Sequence, residues 1–82
     1  MSDLSQKIVD DIMRQVEESE LREPSRRTIS YSFTLTDPEE IKVGPEIYQE
    51  FLTRLHGFYG SAKITSKAYG AGGYNILARV DK

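Results

Sequence analysis

From Arg27 to Thr36 the chain reads RTISYSFTLT, with Ile29, Tyr31, Phe33 and Leu35 alternating with Thr28, Ser30, Ser32 and Thr34. Strict alternation sends the two sets to opposite sides of a pleated backbone, so the segment predicts a strand with one apolar and one wet face. Such a strand needs a covering layer on its apolar side and further strands along its edges. The rest of the sequence has to supply both.

Two helical segments offer the layer. In SDLSQKIVDDIMRQVEES, Leu4, Ile8, Ile12 and Val16 recur every four residues and Val9 and Met13 broaden the stripe, while Asp10, Asp11, Arg14, Glu17 and Glu18 lie away from it. This predicts an amphipathic helix over 3–20, capped by Ser2 or Asp3, stopping before Pro24 and leading into a polar linker over 21–27. At TDPEE, Asp37 is placed to cap and Pro38 to open one short helical turn over 38–42. Gly44 and Pro45 interrupt that turn, and a second full helix is expected to open at Pro45. Its sequence, PEIYQEFLTRLHGF, puts Ile47, Tyr48, Phe51, Leu52 and Leu55 on one face, with Gly57 as its stop.

The further strands are SAKITSKAY and YNILARV, two alternating runs separated by GAGG. The stretch YGAGGYN that joins them has the glycine density of a phosphate cradle. A cradle, however, needs its glycines to lead into the N-terminus of a helix, and these lead into a strand. They are read as a hairpin connection whose glycines supply positive φ. The expected fold is therefore α+β in the order α-β-α-β-β. Two helices pack on one face of a three-stranded mixed sheet, the first strand reaching the C-terminal β-hairpin by a right-handed parallel crossover. The expected core is Leu4, Ile8, Ile12, Val16, Ile29, Tyr31, Phe33, Leu35, Ile47, Phe51, Leu55, Ile64, Ile76 and Val80.

With 82 residues this is one domain, 1–82, comprising the N-terminal helix, the linker and an α+β body over 28–82. It contains no cysteine, which excludes disulfide staples, thiol nucleophiles and cysteine-bound metals and points to a cytoplasmic setting. A core of this size is near the lower limit of sufficiency, which points to completion by a second copy in a homodimer. No apolar run is long enough to span a membrane, and the opening MSDLSQKIVDD lacks an apolar signal segment.

The residues that carry most catalysis are scarce. The one histidine, His56, falls at the polar margin of the second helix, where a helix C-terminus favours an imidazolium. The carboxylates are explained by solvation of the first helix and by helix starts, and Asp10, Asp11, Glu17 and Glu18 do not have the spacing of a calcium loop. The chain is accordingly read as a non-enzyme without metal or cofactor. Charge is distributed unevenly: residues 1–23 hold seven acidic and three basic side chains, residues 57–82 four basic and one acidic. If the strands orient as expected, Lys63, Lys67, Tyr69, Asn75 and Arg79 share a wet sheet face, Tyr74 flanks the hairpin, and Arg26 and Arg27 precede the first strand. These eight residues are the expected partner-binding set. The leading reading is a small protein-binding module, such as an adaptor, inhibitor or regulatory factor. The alternative is a nucleic-acid-binding protein that uses the same polar, basic face and the tyrosine-flanked hairpin.

Residues 74–82, YNILARVDK, resemble the closing hairpin of small ribonuclease-type toxins of toxin–antitoxin systems. Those toxins are generally basic and place two helices after the first strand. This chain is acidic and opens on its own long helix, so no residue role is carried across.

Overall fold

The computed structural model describes residues 2–82, in the order α1 (Asp3–Arg22), β1 (Thr28–Leu35), α2 (Pro38–Lys42), α3 (Gly44–Tyr59), β2 (Lys63–Gly70) and β3 (Tyr74–Asp81). The fold class is α+β, in the expected element order. The sheet differs from the expected mixed arrangement. Its strand order is β1-β3-β2, and both ladders are antiparallel. The first and second strands do run parallel, but β3 inserts between them and no parallel ladder forms. The reason is physical: β3 can bond antiparallel to both neighbours, and antiparallel bonds are straighter than the slanted bonds of a parallel pair.

The start of α1 is capped as the sequence predicts, the Ser2 hydroxyl accepting from the Ser5 amide at 3.2 Å. Its buried stripe, however, is Ser5, Val9, Ile12, Met13 and Val16. Leu4, expected in the core, is 36% exposed, and Ile8 is only half-buried. A repeat of four residues drifts by about 40° per step around a helix of 3.6 residues per turn, so a stripe followed at that spacing winds off the buried face. The true face alternates steps of four and three. Ser5 keeps its hydroxyl satisfied there by donating to Glu46 at 2.5 Å and by a 2.8 Å bond with the Ser2 hydroxyl.

The short helix α2 opens as expected, with the Asp37 carboxylate accepting from the Glu39 amide at 2.8 Å and Pro38 at its first position. The next helix begins at Gly44, where a side chain could not sit: a Cβ there would fall 2.8 Å from the Tyr74 ring. It also runs past Gly57, the expected stop, to Tyr59. Gly60 ends it instead, with φ 63° and an amide that donates to the His56 carbonyl at 2.9 Å. The added residue Tyr59 is useful at that point, because its hydroxyl reaches Tyr31 and Glu20.

The core gathers Val9, Ile12, Met13 and Val16 from α1, Ile29, Tyr31 and Leu35 from β1, Ile47, Phe51 and Leu55 from α3, and Ile76, Ala78 and Val80 from β3. Phe51 is fully buried and meets the half-buried Phe33 ring edge-on at 5.6 Å. Ile64, expected at the centre, is half-buried because β2 lies at the sheet edge. Val9→Ala is expected to cost roughly 2 kcal/mol of unfolding free energy in urea titrations, from lost burial plus a residual cavity. Leu4→Ala should cost about 0.5 kcal/mol or less. The reverse ranking would contradict a buried stripe that contains Val9 and leaves Leu4 outside it.

Candidate functional site

The register fixes which side chains share each sheet surface. Thr28 pairs with Asp81, Ser30 with Arg79, Ser32 with Leu77 and Thr34 with Asn75. Across β3, the same residues meet Lys63, Thr65, Lys67 and Tyr69. Because successive side chains alternate, these twelve residues occupy one face. Most of them are exposed; Leu77 and Asp81 are intermediate and Asn75 is buried. At its centre lies a shallow depression of about 340 Å³, lined by Ser30, Ser32, Thr65, Lys67, Leu77 and Arg79 and by the backbone between them.

Five of the eight expected site residues come together on this face: Lys63, Lys67, Tyr69, Asn75 and Arg79. Lys67 lies with its ammonium 5.4 Å from the centre of the Tyr69 ring, and Tyr69 is 44% exposed. Asp81, which was not among the expected residues, belongs to the face as well. Its carboxylate accepts from Arg79 at 3.3 Å and from the Thr28 hydroxyl at 3.2 Å. The alternation YNILARVD carried that signal, since Asn75, Leu77, Arg79 and Asp81 share one parity.

Tyr74 does not join this face. Tyr69 pairs with Asn75 and Tyr74 with Gly70, so the two tyrosines flanking the hairpin are on opposite sides of the sheet and do not face each other. Tyr74 packs over Gly44 and is partly buried, and burial raises the pKa of its hydroxyl. Asn75 is turned inward by its own bonds: it accepts from Thr34 at 2.8 Å and donates to the carbonyls of Tyr69 and Ala71, both at 3.2 Å. It fastens the hairpin tip to β1. Gly73 completes that junction, because at φ 147° a Cβ would lie 2.3 Å from the Leu35 carbonyl oxygen. Arg26 and Arg27 stand apart, before β1. Arg26 lies 3.5 Å from Glu23, and the Arg27 carbonyl accepts from the Lys82 amide at 2.8 Å.

A second polar cluster links three elements and the C-terminal residue. The hydroxyls of Tyr31 and Tyr59 are 2.6 Å apart, Tyr59 donates to Glu20 at 3.0 Å, and Lys82 donates to the same carboxylate at 2.7 Å and to the Pro24 carbonyl at 3.2 Å. Burial, reinforced by the bonds to Tyr31 and Glu20, drives the Tyr59 pKa far above its ordinary value. That direction keeps the Tyr59 hydroxyl protonated, so that it remains the donor to Glu20 and the cluster fastens α1 to α3. On the α1–α3 side, the Ser5 hydroxyl bond holds the Glu46 carboxyl below its usual range, and Asp10, then Glu50, raise the Arg54 pKa. Among the described residues no three His, Asp or Glu side chains converge as a metal site. No helix of the described residues is long and apolar enough to cross a membrane.

Comparison with protein-family models, with curated proteins and with solved structures finds no match to this chain.

Two outcomes separate fastening residues from contact residues. Asn75→Ala should lower stability by roughly 2 kcal/mol in urea unfolding, since it removes three part-buried hydrogen bonds and strands their partners. The raised Tyr59 pKa means that above about pH 10 the unfolded chain loses a proton that the folded chain keeps. Stability is therefore full below that pH and falls as pH rises further, and Tyr59→Phe should flatten this alkaline decline in thermal melts.

Proposed function

We propose that this chain is a non-enzymatic protein-docking module of the cytoplasm, an adaptor, inhibitor or regulatory factor. In it α1 and α3 together cover one sheet face and leave the other to receive a folded protein. The observation that carries the reading is the position of Leu77. It is an apolar side chain at the middle of the central strand, in a depression whose rim is hydroxyls, Lys67 and Arg79. An apolar centre inside a polar rim is the arrangement by which interfaces exclude water from a few energetic anchors. Tyr69, held by Lys67 at the edge of the same face, adds a rigid aromatic surface with a polar tip. Docking there acts by occlusion or scaffolding.

Nucleic acid is the competing ligand for the same face. Asp81 engages Arg79 and keeps the positive charge of the face small, which favours the protein reading. The test compares wild type with Leu77→Arg and Lys67→Ala in cross-linking capture from cell extract, with circular dichroism as the fold control. The expected result is a partner retained by wild type and weakened by about tenfold or more in Leu77→Arg, the loss of one central anchor. A partner retained equally by both variants overturns the reading. So does steeply salt-dependent oligonucleotide binding that weakens in Lys63→Ala and Lys67→Ala.

A further inference from the structure

The sheet has two free edges, and they differ in character. The β2 edge carries Lys63 and Lys67 and ends in Gly70, whereas β1 is eight residues, TISYSFTL, with no charge, proline or glycine. Its ladder with β3 runs through eight consecutive pairs without a bulge. Charged side chains, prolines and bulges are the usual protections of an exposed edge, and β1 has none of them.

The direction of the unpaired groups on β1 follows from one bond. The Lys82 amide donates to the Arg27 carbonyl at 2.8 Å, extending the register one step beyond Thr28 and Asp81. Main-chain groups alternate along an antiparallel strand, so Ile29, Tyr31, Phe33 and Leu35 exchange bonds with β3. Thr28, Ser30, Ser32 and Thr34 then turn their N–H and C=O groups to the free edge. Beside that edge, against the C-terminal half of α1, runs a cleft of about 310 Å³ lined by Glu18, Arg22 and Arg26 together with Tyr31 and Phe33.

We propose that the occupant of this edge is a second copy of the chain, its β1 pairing antiparallel with the first across a two-fold axis to give a continuous six-stranded sheet. The charges of the cleft select this partner. Arg26 lies two residues before β1, Arg22 ends α1, and Glu18 lies one turn earlier on the helix, so the cleft is basic near the start of β1 and acidic further along. Antiparallel pairing lays the start of one β1 beside the end of the other, bringing the basic end of each cleft to the acidic part of its partner. Another protein's strand meets that pattern only if its own sequence happens to carry it. A second copy carries it by symmetry. The two exposed sheet faces then join at Ser30 and Ser32, and the two Leu77 depressions lie on one surface. The inference does not rest on the docking role proposed above, because it concerns the edge and is read by mass.

Sedimentation equilibrium of the full chain over a wide concentration range tests it. The expected result is a species of twice the 9.3 kDa chain mass. Ser32→Pro removes an outward N–H without taking any bond from the β1–β3 ladder, and should weaken the dimer by about a hundredfold or more through lost bonds and steric clash. The double variant Ser30→Lys with Ser32→Lys keeps every N–H and adds charge to the edge. It should also be monomeric, and it serves if the proline variant does not fold. Lys67→Glu, on the opposite edge, should leave the dimer intact. A wild type that stays monomeric throughout overturns the proposal, as does a dimer that survives the folded β1 variants or is lost in Lys67→Glu.

Discussion

The pairing of β3 with both neighbours is the constraint on which the sheet depends. Neither outer strand bonds the other, so every interstrand bond has β3 as one partner. The β2–β3 ladder is local, closed by a three-residue tip. The β1–β3 ladder joins residues as far apart as Thr28 and Asp81, separated by 53 positions. Contacts of that separation carry the larger loop-closure cost, which makes docking of β1 onto the hairpin the slow topological step expected of such an arrangement. The hairpin tip matters to that step. Gly73 allows the tip backbone to approach the Leu35 carbonyl, and Asn75 bonds Thr34, so the tip is built to receive the end of β1.

Around that sheet, apolar burial and polar fixings have separate roles. Val9, Val16, Ile47, Phe51, Leu55, Ile76 and Val80 are removed from water and supply the driving force, but apolar contacts alone tolerate sliding. Two polar sets oppose it. At the N-terminal end of α1 the Ser5 hydroxyl meets Glu46 in the first turn of α3, where a carboxylate is also favoured by the helix dipole. Farther along, Arg54 holds both Glu50 and Asp10. At the other end, Glu20 collects Tyr59 and Lys82, tying α1 to α3 and to the end of β3. Fixings at both ends of α1 specify its rotation and axial position, which burial by itself leaves loose.

The elements of this fold were legible in the sequence because each one carries a local signal. The alternation of TISYSFTL, the Asp37-Pro38 start of α2 and the glycines of the hairpin mark their elements without help from distant residues. What was not legible depends on distant partners. The place of β3 between β1 and β2 is a choice between ladders of similar local appearance. The buried Ser5 in place of Leu4 becomes intelligible only when Glu46 is seen opposite it. Parity separates Tyr69 from Tyr74 in YGAGGYN, whereas the three-residue tip, which puts Gly70 in β2, was not legible. Lys63, Lys67, Tyr69 and Arg79 were legible as one face because parity alone decides it. Asn75 shares that parity but is turned inward by bonds that the sequence does not display.

The size of the core links the free edge to the rest of the molecule. These 82 residues contain no cysteine for a disulfide staple, and several of their aromatic and aliphatic side chains are incompletely covered. Phe33 is the clearest of these: it stacks beside Tyr31, meets Phe51 edge-on, and still lines the cleft along β1. A strand paired at that edge, as proposed above, would satisfy the outward main-chain groups of Ser30, Ser32 and Thr34 beside the partly covered Phe33 ring. Hydrogen bonding and apolar burial, which act on opposite strand edges and faces elsewhere in the sheet, therefore converge at β1. The polar residues there are uncharged hydroxyls, which tolerate either water or a neighbouring strand.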